Sequence, residues 1–391
     1  MRRDPAILLL AFGQTLAWAS AYYVFPALLL RWEQTLGWSK AELTAAITLA
    51  VLISAALSPL AGRIIDSGRG PILSGGSSVL AGLGLLLLSQ VTGIWQFYAV
   101  WALIGAAMAG CLYEPTFALV TRARGANARQ GIILITLVAG FASTISYPVV
   151  YSLAEVFGWR GAVTFAAVVM LFVVAPTMWL GVRGLEAHRA KSAEAAPVQE
   201  HSRAFLRRPA FWLLAFGFAF LAVTHGAALH HLLPILDERG LSPEMAVLAA
   251  SFIGPMQVAG RLAMMASERY LSNNDVALAA FGFMGLSVAL LMFAGSAPAV
   301  LSAFVIFFGG AYGTVSILRP LLAREILGET NFGAKSGALA LPYLAGSALA
   351  PFVGSLLWNL GGYDLMLWAL AGSTALGAVL YRSAYRLAVR R

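Results

Sequence analysis

Apolar stretches of about 20 residues recur along the whole chain, and no other feature restricts its fold as much. At 1.5 Å of rise per residue, a helical run of that length spans a hydrocarbon layer roughly 30 Å thick. Such runs read at 6–30, 43–61, 72–89, 94–120, 131–154 and 161–182, and again at 210–236, 246–266, 276–293, 299–318, 336–357 and 365–385. Lipid offers no water to a backbone N–H or carbonyl, so a lipid-exposed span this long must be a helix. Composition agrees: of 391 residues, 60% are hydrophobic and 11% charged, where a soluble domain carries roughly 25% charged residues. No water-facing surface can be made from so few charges. The expected class is an all-α membrane protein with twelve transmembrane helices and the lipid bilayer as its solvent. The first span reads as a crossing and not as a cleaved leader: it is long, has no small-residue cleavage site, and is followed by further spans.

The formal net charge is +9. With both termini placed inside, 20 Lys and Arg fall on inner segments and 4 on outer loops (Arg31, Lys40, Arg160 and Arg239), while Arg261 and Arg319 stay within spans. This positive-inside bias makes the charge a topology signal and not a nucleic-acid footprint. It predicts an inner (plasma) membrane protein with cytoplasmic termini. Cys111 is the single cysteine and lies within a span, so the chain holds no internal disulfide and no cysteine-based metal site.

The longest polar interruption lies around Pro197, between Arg183 and Arg208. It divides the chain into an N-terminal six-helix bundle (1–184), a cytoplasmic linker (185–208) and a C-terminal six-helix bundle (209–391). The halves carry related segments. Leu9-Leu10-Ala11-Phe12-Gly13 recurs as Leu213-Leu214-Ala215-Phe216-Gly217, and Gly37-Trp38-Ser39 corresponds to Gly240-Leu241-Ser242, at offsets of 204 and 203. Duplicated bundles of this kind hold a binding site near the bilayer midplane and rock to give alternating access.

The turn after the second span, Gly62-Arg63-Ile64-Ile65-Asp66-Ser67-Gly68-Arg69-Gly70, resembles the signature loop of the major facilitator superfamily. Ser67 stands where a basic residue is usual, and the turn is one residue short. The resemblance covers the whole chain and implies two pseudo-symmetric six-helix bundles. Asp66 then becomes a gating candidate that caps or pairs at a helix end. A narrower resemblance, to bacterial monocarboxylate and oxalate–formate carriers, rests on Gly37-Trp38-Ser39, Gly158-Trp159-Arg160 and Gln257-Val258-Ala259-Gly260-Arg261. It implies that Arg261 partners a substrate carboxylate. Some relatives have an aspartate four residues before that arginine for proton coupling; this chain has Gln257.

Ionisable groups inside spans are costly and are functional candidates by default. A guanidinium at Arg261 can hold a carboxylate through two parallel hydrogen bonds, and Gln257 is one turn away on the same face. The other role open to Arg261 is pairing with a helix end or snorkelling to headgroups. Glu114, before Pro115, and Arg319, before Pro320, occupy equivalent places in the two halves. They are expected to pair in a cytoplasmic gate, or else to be separate interfacial charges. His225 or Glu114 is the candidate proton carrier, against a hydrogen-bonded core histidine. Gln14, Trp18, Tyr22, Tyr113, Thr144, Tyr147, Tyr312, Ser316, Tyr343 and Ser347 are candidate cavity-lining donors and rings, or helix-packing and belt aromatics. His230 and His231 point apart on a helix and make a poor metal pair; no metal set and no cofactor is expected.

An intramembrane enzyme needs a nucleophile–base set or clustered metal ligands, and neither is present in the sequence pattern. The linker is short for a signalling domain, and no phosphate-cradling glycine loop ending in lysine is found. The expected function is secondary transport of a small organic anion, a monocarboxylate, by proton symport or exchange, in a functional monomer. The alternative is efflux of amphipathic drugs or metabolites.

Overall fold

The computed structural model describes residues 4–125, 128–187, 203–295, 297–328 and 332–389. Most of the expected linker, 188–202, lies outside them. The chain forms two compact units, Met1–Pro197 and Val198–Arg391. All regular structure among the described residues is helical.

The N-terminal unit begins with α1 (Pro5–Ala17), a π-helical turn (Trp18–Tyr22) and α2 (Val24–Leu36). It continues with α3 (Lys40–Asp66), α4 (Gly70–Leu88), α5 (Ile94–Cys111) and α6 (Tyr113–Arg124), then α7 (Ala128–Ala139) and α8 (Ala142–Val169). A second π-helical turn (Met170–Val174) leads into α9 (Ala175–Ala187). The C-terminal unit holds α10 (Pro209–His230), α11 (Leu232–Glu238), α12 (Pro243–Ser267), α13 (Asn273–Met292), α14 (Pro298–Leu327) and α15 (Phe332–Val389).

Among the described residues, 10 helical runs are long and apolar enough to cross a membrane. Two of them, Gln130–Ala187 and Ala338–Ala388, have 58 and 51 residues, about twice one crossing. The backbone leaves helical geometry inside each: at Gly158 (φ 70°, ψ 171°) and at Gly361 and Gly362 (φ 71° for the latter). The left-handed φ at Gly158 and Gly362 suits glycine alone. Dividing these two runs there, among the described residues, turns the 10 runs into 12 segments. Short loops were expected at those two places; instead helix resumes at once beyond the glycines, so the reversal needs almost no connecting chain.

Gly158 and Gly362 are 204 residues apart, the offset seen in the sequence repeat. Packing repeats with the same spacing. A Cβ on Gly105 would lie 2.3 Å from the Ala50 carbonyl oxygen, and one on Gly309 would lie 2.7 Å from that of Ile253. Gly13 abuts Met178 of α9, and its counterpart Gly217 abuts Gly377 and Tyr381 of α15. The N-caps correspond too: Ser39 accepts from the Glu42 N–H and Ser242 from the Met245 N–H. The two units are thus one supersecondary plan written twice. Without a hydrophobic force between helices in lipid, such backbone contacts at small residues supply the packing.

The N-terminal unit also interlocks large rings. Phe25, Trp32, Phe97 and Trp101 are fully buried and meet edge to face, with Phe25–Trp101 centroids 5.1 Å apart and Trp32–Phe97 centroids 5.3 Å apart. At one end of this unit, Asp4 caps α1 through the Ala6 N–H, and its other oxygen accepts from Arg124 Nη2 at 2.7 Å and Nε at 2.9 Å. In the C-terminal unit, Lys335 Nζ donates to the Leu327 carbonyl at 2.6 Å and so closes the end of α14. Burial pushes the Lys335 ammonium below its ordinary value, and nearby Arg208 acts in the same direction.

The glycine contacts differ sharply between sites. Gly105→Ala forces a methyl into the α3 backbone and is expected to destabilise the fold by about 1–3 kcal/mol. Gly76, with nothing within 4 Å of its would-be Cβ, should accept Ala without loss. Thermal unfolding of the two purified variants checks the contrast; equal melting temperatures would contradict the packing.

Candidate functional site

The residues of α14 sort by helical period. Gly309, Gly310 and Gly313 form one face, and Phe308, Tyr312 and Arg319 form another, at spacings of four and seven. The glycine face lies against α12. A Cβ on Gly313 would sit 2.1 Å from the Gln257 carbonyl oxygen, and one on Gly260 would sit 2.3 Å from that of Gly310. This approach brings Arg261 to α14, where its Nε donates to the Gly313 carbonyl at 3.0 Å. Arg261 is 6% exposed and Gln257 5% exposed. The Gln257 amide nitrogen has no hydrogen-bond partner among the described residues. Orphaned buried donors are uncommon and call for a physical reason.

The aromatic face of α14 meets α10 and α15. The His225 ring lies flat on Tyr312, with centroids 3.2 Å apart and planes within 2°, and near-parallel to Phe308 at 5.0 Å. The Tyr343 hydroxyl donates to that of Tyr312 at 3.2 Å. The guanidinium carbon of Arg319 stands 4.1 Å from the Tyr343 ring centre, a cation–π arrangement. Arg319, Tyr343, Tyr312, His225 and Phe308 therefore form one continuous column across three helices. His225 Nε2 and Arg319 Nη1 are buried and without a hydrogen-bond partner among the described residues. The candidates of the C-terminal unit thus fall into two groups joined through α14: Arg261 with Gln257, and the column.

The N-terminal candidates are more dispersed. Gln14 is fully buried and spends its amide nitrogen on α5 and α6, donating to the Cys111 carbonyl and the Thr116 hydroxyl, each at 2.7 Å. Trp18 joins Tyr22 at 5.0 Å and Tyr113 at 4.8 Å, and Tyr113 stacks on Phe117 at 4.9 Å. The π-helical turn Trp18–Tyr22 turns these rings together; such local widenings are frequent at functional sites. Tyr147 is fully buried, 6.1 Å from Tyr23. Glu114 lies exposed in the first turn of α6. Asp66 is the last residue of α3 and is exposed; its carbonyl, with that of Ile65, accepts from Arg122. Glu114 and Arg319 belong to different units.

His230 and His231 pack within the C-terminal unit. His230 Nδ1 is 2.8 Å from the Gly226 carbonyl, and His231 Nε2 is 2.9 Å from that of Pro351. Two participants escape the sequence reading. Phe308 is an ordinary apolar residue until its spacing of four from Tyr312 is noticed. Arg122 lies just past an apolar run, where its hold on the end of α3 has no linear signal.

Residues 10–323 match the family model described as Major Facilitator Superfamily. Monocarboxylate transporter 12 of Homo sapiens is 27% identical over 335 residues, covering 75% of this chain and 62% of that protein. The chain thus spans a little under two-thirds of that relative. The Xenopus laevis counterpart is 26% identical over 322 residues, covering 75% and 68%. The MFS transporter asaE of Aspergillus flavus is 22% identical over 340 residues, covering 85% and 75%. Among solved structures, a bacterial homologue of the human lysosomal transporter Spinster, inward-facing and unoccupied, superposes with a TM-score of 0.73 at 16% identity, over 100% of this chain and 98% of that one. The nucleoside transporter NupG gives 0.69 at 15%, over 98% and 99%. These structures share the fold.

The column should be energetically graded. Tyr343→Phe deletes one hydroxyl pair and is expected to cost about 1 kcal/mol. Tyr312→Ala uncovers the His225 ring and is expected to cost about 3 kcal/mol or more. Thermal unfolding of both variants in one detergent tests the order, and a reversed order would contradict the stack.

Proposed function

This chain belongs to the major facilitator superfamily, and from that premise we propose that it carries a small organic anion, a monocarboxylate, by secondary active transport. It is a multi-pass membrane transporter and not an enzyme. The substrate reading is carried by one observation: a buried guanidinium, Arg261, held by its Nε on Gly313, one helical turn from a buried Gln257 amide nitrogen that has no partner among the described residues. A charge in a membrane span is costly, and its compensation by a planar, two-oxygen anion suits the fork of an arginine. The Gln257 amide adds a neutral donor on the same face. The monocarboxylate transporter 12 relatives, at 26–27% identity, support this class of substrate.

Gln257 cannot carry a proton. If the carrier is a symporter, the coupled proton rides on His225 or Glu114; if it is an exchanger, a second anion replaces the proton. Lys and Arg crowd the segments assigned to one side of the membrane, which supports an inner-membrane protein with both termini in the cytoplasm. A single chain holds both bundles and serves as the working unit in this reading.

Ligand binding to the native state raises the unfolding temperature by mass action. Purified protein screened against short carboxylates, amines and amphipathic drugs should be stabilised by a carboxylate, and Arg261→Gln should abolish that shift. Arg261→Lys, which keeps charge but loses the fork, should weaken binding by about tenfold or more. Stabilisation by cations or neutral amphiphiles alone, unchanged in Arg261→Gln, would move the chain to the efflux alternative.

A further inference from the structure

The fourth apolar run is one span in the sequence but two helices in the structure. It breaks at Leu112 (φ −91°, ψ −157°), between α5 and α6. The cause is three residues on. Pro115 has no N–H, so the carbonyl four residues earlier, that of Cys111, loses its helical donor. Cys111 is buried, and an unanswered carbonyl in lipid is costly.

The missing donor arrives from the first span. Gln14 Nε2 lies 2.7 Å from the Cys111 carbonyl, 3.3 Å from that of Leu112 and 2.7 Å from Thr116 Oγ1. Its two amide hydrogens suffice for the two short contacts, one on each side of the break. An amide turned the other way would set oxygen against carbonyl oxygen, so the acceptors dictate its orientation. The neighbouring Gly13 has no side chain to hold it away from Met178 of α9: a Cβ there would lie 2.8 Å from the Met178 sulfur. The first span therefore sits deep in the bundle, where a glutamine can reach the break.

We infer that Gln14 is a positioning residue: it replaces in trans the hydrogen bond that Pro115 removes, and it clamps the broken fourth span at a set angle. Gln14 then does not meet the substrate. It fixes the first turn of α6, and with it Tyr113, whose ring meets Trp18 and Phe117, and Glu114 in the same turn. Its loss leaves the Cys111 carbonyl without a donor and loosens the break at Leu112, while Arg122 and Arg124 still hold the far end of α6 to α3 and to Asp4. Glutamine is suited to this task because it is long, uncharged and carries two donors on one nitrogen.

The single thiol of the chain, Cys111, reports on the break directly. It is fully buried and adjoins the hinge, so its alkylation by N-ethylmaleimide measures local opening and requires no substrate; the outcome is independent of whether the carrier takes anions. Gln14→Met keeps the volume and removes both donors. It is expected to raise the alkylation rate of folded protein roughly tenfold. Adding Pro115→Ala, or Pro115→Ser should the alanine variant fold poorly, restores an N–H opposite the Cys111 carbonyl. The double variant should then react within about twofold of the wild type. Loss of packing alone would not be repaired by a backbone N–H in another span. An unchanged rate in Gln14→Met, or a raised rate that neither proline replacement reverses, would overturn the assignment.

Discussion

A backbone carbonyl that loses its helical donor inside a membrane has to find another within the protein, and that requirement explains where this chain keeps its polar side chains. Pro115 frees the Cys111 carbonyl, and Gln14 takes it. In the π-helical turn of the first span, the Ala19 carbonyl accepts from Ser146 at 2.8 Å. Helix ends are answered in the same way, by Arg122 at the end of α3 and Lys335 at the end of α14. These polar groups are placed by the irregularities of the backbone. The irregularities in turn are placed by prolines and glycines, so the bends of the spans and the positions of their polar partners form one pattern.

The second constraint is close approach. Helices in lipid gain little from apolar burial against one another, and the tight contacts fall where a Cβ is missing. The equivalence of Gly105 with Gly309 and of Gly13 with Gly217 shows the same solution used in both units. It also accounts for the glycine shared by the repeated five-residue segments, Gly13 and Gly217. Where a neighbour's backbone fills the space that a side chain would occupy, substitution is penalised in either unit; elsewhere any apolar residue of fitting volume serves.

Much of this was legible in the sequence, and the gaps have physical reasons. Run length and the lack of charge led to the spans, because hydrocarbon thickness sets both. The duplication was visible in short matches, and the structure adds the Gly158 and Gly362 reversals, whose left-handed φ no composition argument could have supplied. The span bounds leave gaps at 155–160 and 358–364; one or two glycines suffice for the turn there, and helix continues on both sides. The column of Arg319, Tyr343, Tyr312 and His225 was half visible. Each member drew attention as a polar or aromatic residue within a span, but stacking between α10, α14 and α15 depends on which faces meet, and linear spacing reports only on one helix at a time. Gln14 stands out in the sequence as a polar residue of the first span, with a cavity-lining role as the expectation. Its partners lie 97 to 102 residues away, beyond anything a local pattern can reveal.

Gln14 and Arg261 then separate on the same physical test. Both are polar, buried residues of apolar spans, and both donate to a backbone carbonyl. The carbonyl that Gln14 meets needs a donor, since Pro115 cannot supply one. The carbonyl that Arg261 meets does not: Gly313 lies inside the continuous helix α14, and the residue four positions on, Ile317, has an N–H to give. A neutral glutamine has been put where the backbone requires it. A permanent charge has been put where the backbone does not, beside an amide nitrogen at Gln257 that the described residues leave unanswered. The buried charge beside the unanswered Gln257 amide is the geometry the anion reading rests on, whereas in the proposed clamp Gln14 is kept by the backbone.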